Sequence, residues 1–407
     1  MTDGAAHWTE SRTEFAPAHR SALLRQAVAR QPRNARLHLG LGDELLGATR
    51  HAEALEAFRT ALALQPDLAP AWSGAATCLR KLDRPAEVLA LCDTGWAGNA
   101  IDRLYQRGRA LIRLGRIAEG RDELHRAVRG EYPRVLALRA LLESLARSGD
   151  AAGILALCGS LEPRQGALAL VRGYRAAALS MTGRVEEALA LVDLERSVLR
   201  YRFDPPPELG SLDAVNQRLV AAILTDAPVA PAQDDVDINH QPHLRIGAEI
   251  RALRDFIRTS LSDYLDLTES PRRAAGMPPA PRHAWLGFGT VVLRRQGRNG
   301  QHLHPGGYLS TVYHVQAPPP GIGETNAGAL VLGPCDHLTS GHRACWGSRY
   351  IAAEPGWLTI FPSHLFHDVV PTGAPEPRVT IVSDLNPDRG GLSAQANAKM
   401  EMDEDMD

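Results

Sequence analysis

Lysine is nearly absent from this chain of 407 residues: Lys81 and Lys399 stand against a Lys+Arg total of 45, so arginine carries almost all the positive charge. With the formal net charge at -2, no global field draws the chain to nucleic acid or to an anionic membrane. The abundance of arginine and alanine points to a GC-rich genome rather than to a polyanion-binding groove. Cysteine is scarce and scattered, at Cys78, Cys92, Cys158, Cys335 and Cys345, with no CxxC pair. That excludes a disulfide framework and a structural zinc site, and fits reduced thiols in a cytoplasmic protein. No run approaches the roughly 18 to 20 apolar residues that span a bilayer. The opening residues lack the basic and apolar segments of a signal peptide. Aromatic residues are few, at 5%, while hydrophobic residues make up 44%, enough for two or three globular domains at this length.

What is present begins with a repeat. Gln31-Pro32 recurs as Gln65-Pro66, 34 residues later. Between them runs NARLHLGLGDELLGATRHAEALEAFRTALALQP, with Gly40 and Gly42 at helix-packing positions and Ala54 and Ala61 at small positions of a second helix. Further units start near residues 67, 99, 132 and 167, marked by Trp72, Gly108, Gly115 and Ala127. This pattern resembles the tetratricopeptide consensus. The resemblance implies a stack of helix pairs, each burying its apolar face against the next. A helical repeat domain is therefore expected over 18–200, behind a flexible N-terminus over 1–17. Its use is expected to be binding of a peptide or protein, with scaffolding or homodimer formation as the alternative.

RYRFDPPP at 200–207 ends the helical pattern, because consecutive prolines cannot continue a helix. Two lead-in helices follow within 211–265, the second with Ile246, Ile250, Leu253, Ile257 and Leu261 on one face. From about residue 283 the period changes. HAWLGFGTVVLRR, YLSTVYHVQA, GALVLG, GWLTIFPS and RVTIVSDLN are short runs rich in β-branched and aromatic residues, which predict strands of a barrel or jelly roll. The acidic tail over 391–407 is expected to be disordered.

Three segments carry residue types suited to one metal. In QHLHPGG, His302 and His304 are two apart and project to one side of an extended chain. In FPSHLFHDVVP, His367 closes a strand-turn segment. Arg378 opens the strand eleven residues later. Imidazoles that leave coordination positions open suit a non-haem iron, and an arginine fork suits a carboxylate.

Here the chain resembles the 2-oxoglutarate/Fe(II)-dependent oxygenase family of HxH…H…R type that occurs fused to tetratricopeptide repeats. Trp285, His302, His304, Pro305, Ser310, Tyr313, Phe361, Pro362, Ser363, His367, Pro371, Arg378 and Asn386 match the pattern, across roughly 210–388. The resemblance implies an α-solenoid followed by a double-stranded β-helix (jelly roll) with flanking helices, the oxygenase domain spanning 201–390 and its barrel 280–390. It implies Fe(II) as cofactor, 2-oxoglutarate and O2 as co-substrates, and hydroxylation of a peptide or protein side chain held by the repeats. It places His302, His304 and His367 at the metal, Arg378, Tyr313 and Ser310 at 2-oxoglutarate, and Trp285 and His314 along the substrate; His337, in the polar loop DHLTSGHRACWGSR, is a further substrate-lining candidate because loops at a barrel mouth contact substrate. Two departures stand out. The residue that is usually an Asp or Glu ligand in the wider superfamily is His304, so either both histidines of the HxH bind or only one does. His314 replaces the more usual second tyrosine of YYV. If His304 is the first ligand, Gly306 stands at the carboxylate position and water or an anion completes the shell, which keeps halogenation open; an oxygenase or halogenase acting on a small molecule or free amino acid is an alternative. An inactive repeat adaptor and a cupin-like enzyme that does not use 2-oxoglutarate are the rival readings.

Overall fold

The computed structural model describes residues 7–10, 17–129, 134–161, 168–225, 236–239, 247–318 and 326–387. The N-terminal residues 1–6, the polar stretch around 240–246 and the tail over 391–407 lie outside them. The chain forms two compact units, divided between Ser144 and Leu145.

The first unit is helical. It contains α1 Pro17–Arg30, α2 Ala35–Gly47, α3 His51–Leu64, α4 Ala69–Lys81, α5 Pro85–Asp93, α6 Ala100–Arg113, α7 Ile117–Val128 and most of α8 Arg134–Arg147. The repeat is written in the turns. Thr49, Asp83, Gly115, Gly149 and Gly183 all have positive φ and lie 34, 32, 34 and 34 residues apart. Each turns the chain between paired helices, where a left-handed residue ends the first helix. An arginine follows four of the five and pairs with a glutamate three positions on: Arg50–Glu53, Arg84–Glu87, Arg116–Glu119 and Arg184–Glu187. At the remaining turn Asp150 caps the next helix through Gly153 N instead.

The glycines of the first repeat do different jobs. Phe58 is fully buried between Gly42 and Gly74. A Cβ on Gly42 would come within 2.6 Å of the Phe58 ring, and one on Gly74 would overlap it as well. Gly40, expected at a close contact, has ordinary room: its Cβ would sit 3.6 Å from Leu24.

The second unit holds the last repeat helices, α9 Ala151–Ser160, α10 Leu168–Met181 and α11 Val185–Leu191, together with the β-structure. The repeats expected over 18–200 are thus shared between the two units. Its other elements are β1 His7–Glu10, β2 Leu199–Arg202, α12 Leu212–Thr225, β3 Val236–Asn239, α13 Ala248–Leu267, α14 Glu269–Ala274, β4 His283–Leu293, β5 Leu309–Gln316, β6 Leu330–Leu332, β7 Arg349–Ile351, β8 Trp357–Pro362, β9 His367–Val369 and β10 Arg378–Pro387. One sheet runs β1-β4-β10-β5-β8-β2, with β3 also paired to β4, and the other runs β7-β6-β9. All ladders are antiparallel except β1 on β4. The strand β2 begins one residue before the segment read as ending the helical pattern and runs into it. It pairs with β8, so the chain enters the sheet before its prolines.

Period two sorts the large sheet into two faces. Leu286, Leu309, Tyr313, Leu358, Ile360, Val379, Ile381 and Leu385 pack under α12 and α13, against Val215, Leu219, Ile250, Leu253 and Ile257. The other face meets the small sheet through Val312, Phe361, Leu330, Leu332 and Ile351. The result is a two-sheet barrel with helices on one side, as the jelly-roll expectation requires. All five cysteines are unpaired, four of them buried. Among the described residues no helix is long and apolar enough to cross a membrane.

The glycine contrast is testable. Gly42→Ala forces an atom against a ring held from both sides, and overpacking of this kind costs about 1–3 kcal/mol. Gly40→Ala removes backbone freedom at no contact cost, a gain of roughly 0.5–1 kcal/mol. Thermal unfolding of the two variants is expected to shift in opposite directions.

Candidate metal centre

The three histidines meet because the HxH segment runs beside the turn that leads from β8 into β9. His302 N donates to His367 O at 3.0 Å and His367 N to His302 O at 2.8 Å. One step on, His304 N donates to Ser363 O at 3.1 Å. These bonds fix two backbones side by side and set the rings against one another. Ring centroids lie 4.1 Å apart for His302 and His367, 5.0 Å for His304 and His367, and 5.3 Å for His302 and His304. One ring nitrogen from each lies within 4.8 Å of the others. His304 Nε2 and His367 Nε2 are 3.3 Å apart.

The other nitrogen of each ring is anchored. His302 Nδ1 lies 2.6 Å from Gly300 O, His367 Nδ1 lies 3.1 Å from Leu365 O, and His304 Nδ1 lies 2.7 Å from Asp384 Oδ2. An oxygen at Nδ1 places the proton there and presents Nε2 as the donor, the usual arrangement around a ligand histidine. Burial, together with the neighbouring rings of His302 and His304, holds His367 well below the ordinary histidine pKa. A neutral imidazole is the form that binds a metal. The donor set therefore fits a divalent ion of the Fe(II) type through three imidazoles.

Asp384 continues the anchoring. Its Oδ1 accepts from Ser310 Oγ at 2.6 Å, and Ser310 Oγ lies 2.8 Å from Ser363 Oγ. Ser310, expected at 2-oxoglutarate, is engaged behind His304. Gly307 is required beside it, since a Cβ there would overlap the Ser363 hydroxyl.

Deeper in the barrel a second set of polar groups shares the inner face. Arg378 and Thr380 on β10, His314 on β5 and Thr359 on β8 all lie in that phase. Arg378 is 1% exposed, and its Nε donates to Gly328 O at 2.9 Å. Among the described residues its Nη2, both ring nitrogens of His314 and Thr359 Oγ1 have no hydrogen-bond partner. Desolvation brings the Arg378 pKa down to about 10. Desolvation first, then the charges of Arg378 and Arg200, hold His314 well below the usual range. Buried polar groups are almost always bonded, so Arg378 Nη2 and these three other atoms on the same inner face are free to hold a polar ligand. Tyr313 is not part of this set. It lies on the opposite face, its hydroxyl donating to Asn216 Oδ1 at 2.9 Å, and burial raises its pKa.

The remaining candidates lie toward the rim. Trp285 is half-buried on the inner face, with its ring over Gly287, across from Asp384. His337 is exposed, 3.9 Å from Asp336. Its backbone N donates to Gln301 Oε1 at 3.0 Å, and Gln301 Nε2 donates to Asp336 Oδ1 at 2.6 Å, so the 333–347 loop is tied to the HxH segment. Asp368 is paired with Arg298.

The wall behind the centre comes from α10. Arg172 Nη2 donates to Ala275 O at 2.5 Å, and its Nε lies 3.3 Å from His364 Nε2. Tyr174 stacks edge-on against Phe366 with centroids 5.3 Å apart. A Cβ on Gly173 would come within 2.6 Å of Leu303 Cδ2 and 2.7 Å of His364 O. His364 therefore faces α10, away from the metal histidines, and burial brings its pKa down to about 3. Sequence reasoning missed Asp384, Thr359 and Arg172. Asp384 was within reach, because it shares the period-two phase of Arg378. Arg172 carried no local signal, lying 192 residues from its partner His364.

Residues 287–384 match the family model described as "Putative 2OG-Fe(II) oxygenase". None of the curated proteins compared with the chain matches it. Among solved structures, the chain is similar to a Pseudomonas putida prolyl-4-hydroxylase, at 14% identity over 50% of this chain and 98% of that one, with a TM-score of 0.30. It is similar to an oxidoreductase of the 2OG-Fe(II) oxygenase family from Burkholderia pseudomallei, at 13% identity over 47% and 85%, with a TM-score of 0.29. It is also similar to YrrB, a TPR protein with an unusual peptide-binding site, at 18% identity over 42% and 89%, with a TM-score of 0.33.

Three imidazole ligands and two imidazole ligands make different predictions. Alanine at His302, His304 or His367 is expected to lower Co(II) affinity at least tenfold in each case, read by absorption titration of the chelator-treated protein. An unchanged affinity for His302→Ala would leave a two-histidine site.

Proposed function

We propose that the chain, whose residues 287–384 match the 2OG-Fe(II) oxygenase family model, is a 2-oxoglutarate-dependent dioxygenase that hydroxylates a side chain of a peptide or protein. The polar atoms on the Arg378 face that lack partners among the described residues carry this reading. A buried guanidinium without a bonded acid is costly to keep, and the distal carboxylate of 2-oxoglutarate supplies the acid.

His302, His304 and His367 hold the iron in this reading. Bound there, iron with 2-oxoglutarate and O2 supplies the oxidising chemistry, with succinate and CO2 as the co-products. The chain's own work is placement and exclusion. Arg378 binds the distal carboxylate in a charge-assisted pair, His314 lends a ring N–H and Thr359 its hydroxyl. Ser310 serves Asp384 rather than the co-substrate, and Tyr313 serves the helix-side core. Val291, Leu293, Val369 and Val382 form an apolar lining that keeps water from the reacting groups. Trp285 and His337 mark the side from which a substrate reaches the iron. The repeat array supports a chain-like substrate, since stacked helix pairs present extended surfaces. Hydroxylation rather than halogenation fits the filled ligand set, because His304 occupies the place an anion would need.

The test is succinate formation by the full-length protein with candidate peptides, together with mass spectrometry for one added oxygen. Free amino acids turned over as fast as peptides would refute the peptide substrate. Arg378→Met is expected to weaken 2-oxoglutarate binding more than about tenfold, since hydrogen bonds to charged groups contribute roughly 1.5–3 kcal/mol. His314→Phe is expected to weaken it in the same direction. Tyr313→Phe should leave that affinity unchanged and lower only the Tm. Calorimetric titration of the Mn(II)-loaded variants checks all three.

A further inference from the structure

A metal on three neutral imidazoles differs from one on two imidazoles and a carboxylate in charge as well as in shape. The divalent ion keeps its full charge in a site where His367 is 5% exposed. Low-dielectric surroundings magnify that difference. Asp368 follows a ligand directly in sequence, but its carboxylate is paired with Arg298 and with Val369 N. Asp384 instead addresses a ligand ring: its Oδ2 lies 2.7 Å from His304 Nδ1, and the residue is 9% exposed.

The position of Asp384 is fixed by a closed circuit. Ser310 donates to Oδ1 at 2.6 Å, Ser310 and Ser363 hydroxyls are 2.8 Å apart, and the Ser363 carbonyl receives His304 N at 3.1 Å. The circuit starts and ends on His304. It ties the ring and the backbone of one ligand to one carboxylate, through β5, β10 and the turn after β8.

On the reading that His302, His304 and His367 bind the metal, we infer that Asp384 supplies through His304 the negative charge that a directly bound carboxylate supplies in a two-histidine site. A carboxylate accepting the Nδ1 proton makes Nε2 a stronger donor. Asp384 is therefore a positioning residue that also sets the electron density of the centre, and Ser310 and Ser363 hold it in place. The same charge favours ferric over ferrous iron, so it lowers the Fe(III)/Fe(II) midpoint.

The test compares wild type with Asp384→Asn and Ser310→Ala in the full-length protein. Co(II) affinity comes from absorption titration, and the midpoint comes from mediated titration of the iron-loaded protein. Asp384→Asn keeps the size of the side chain and removes its charge. It is expected to weaken Co(II) binding roughly 10–100-fold, the usual effect of losing such a partner, and to raise the midpoint. Ser310→Ala keeps the charge and is expected to move the midpoint less. A wild-type affinity and midpoint in Asp384→Asn would overturn the inference. Should Asp384→Asn fail to fold, Asp384→Glu carries the test: a midpoint near wild type supports the charge role, and one raised well above it overturns that role. Wild-type protein that binds no Co(II) would overturn the metal-centre reading itself, which separates the two failures.

Discussion

A guanidinium sealed inside a barrel, with one nitrogen bonded to a backbone carbonyl and another without a partner among the described residues, sets the terms for this site. Arg378 is 1% exposed, and burial of a charge without a paired acid is among the costlier things a fold can maintain. The sheet accommodates it by giving its inner face over to polar residues. Thr380, His314 and Thr359 share that face with the charge, and Val312 and Val382 lie between the level of His314 and Thr380 and the level of Ser310, Asp384 and Phe361. The inner face thus has a cationic floor and a ring of imidazoles above it. In the proposed function, 2-oxoglutarate places one end at the metal and the other at Arg378.

Much of this was legible from alternation. His302 and His304 share a face because they are two apart, and Arg378 and Asp384 share one because they are six apart. The same rule carried a warning about the 2-oxoglutarate assignments. Ser310 and Tyr313 are three apart on one strand, so they point to opposite sides of the sheet. The structure shows that division: Ser310 reaches Asp384, while Tyr313 reaches Asn216 on α12. Other features were hidden for physical reasons. The short strand Leu199–Arg202 sits against a run of prolines that reads as a breaker, and only its partner β8 makes it a strand. The burial of Arg172 and of Thr359 depends on residues distant in sequence.

The boundary between repeats and barrel has the same character. Helical periodicity continues past residue 144, yet α9, α10 and α11 belong with the β-structure. Helix α10 shows why. Gly173 lets it lie directly on Leu303, the residue between the two HxH histidines, and Arg172 ties it to Ala275 beyond α14. Ser180 bonds His342 and Cys345 of the loop that Gln301 also holds. A helix that reads as part of the last repeat packs, through Gly173 and Tyr174, behind the candidate metal centre.

The central claim is that one ion on three imidazoles and one carboxylate on Arg378 complete this barrel. A crystal structure of the full-length protein with Mn(II) and 2-oxoglutarate tests it most directly. The account predicts manganese bound to Nε2 of His302, His304 and His367, with the distal carboxylate of 2-oxoglutarate on Arg378 and beside His314. Manganese held without His302, or 2-oxoglutarate bound away from Arg378, would contradict it.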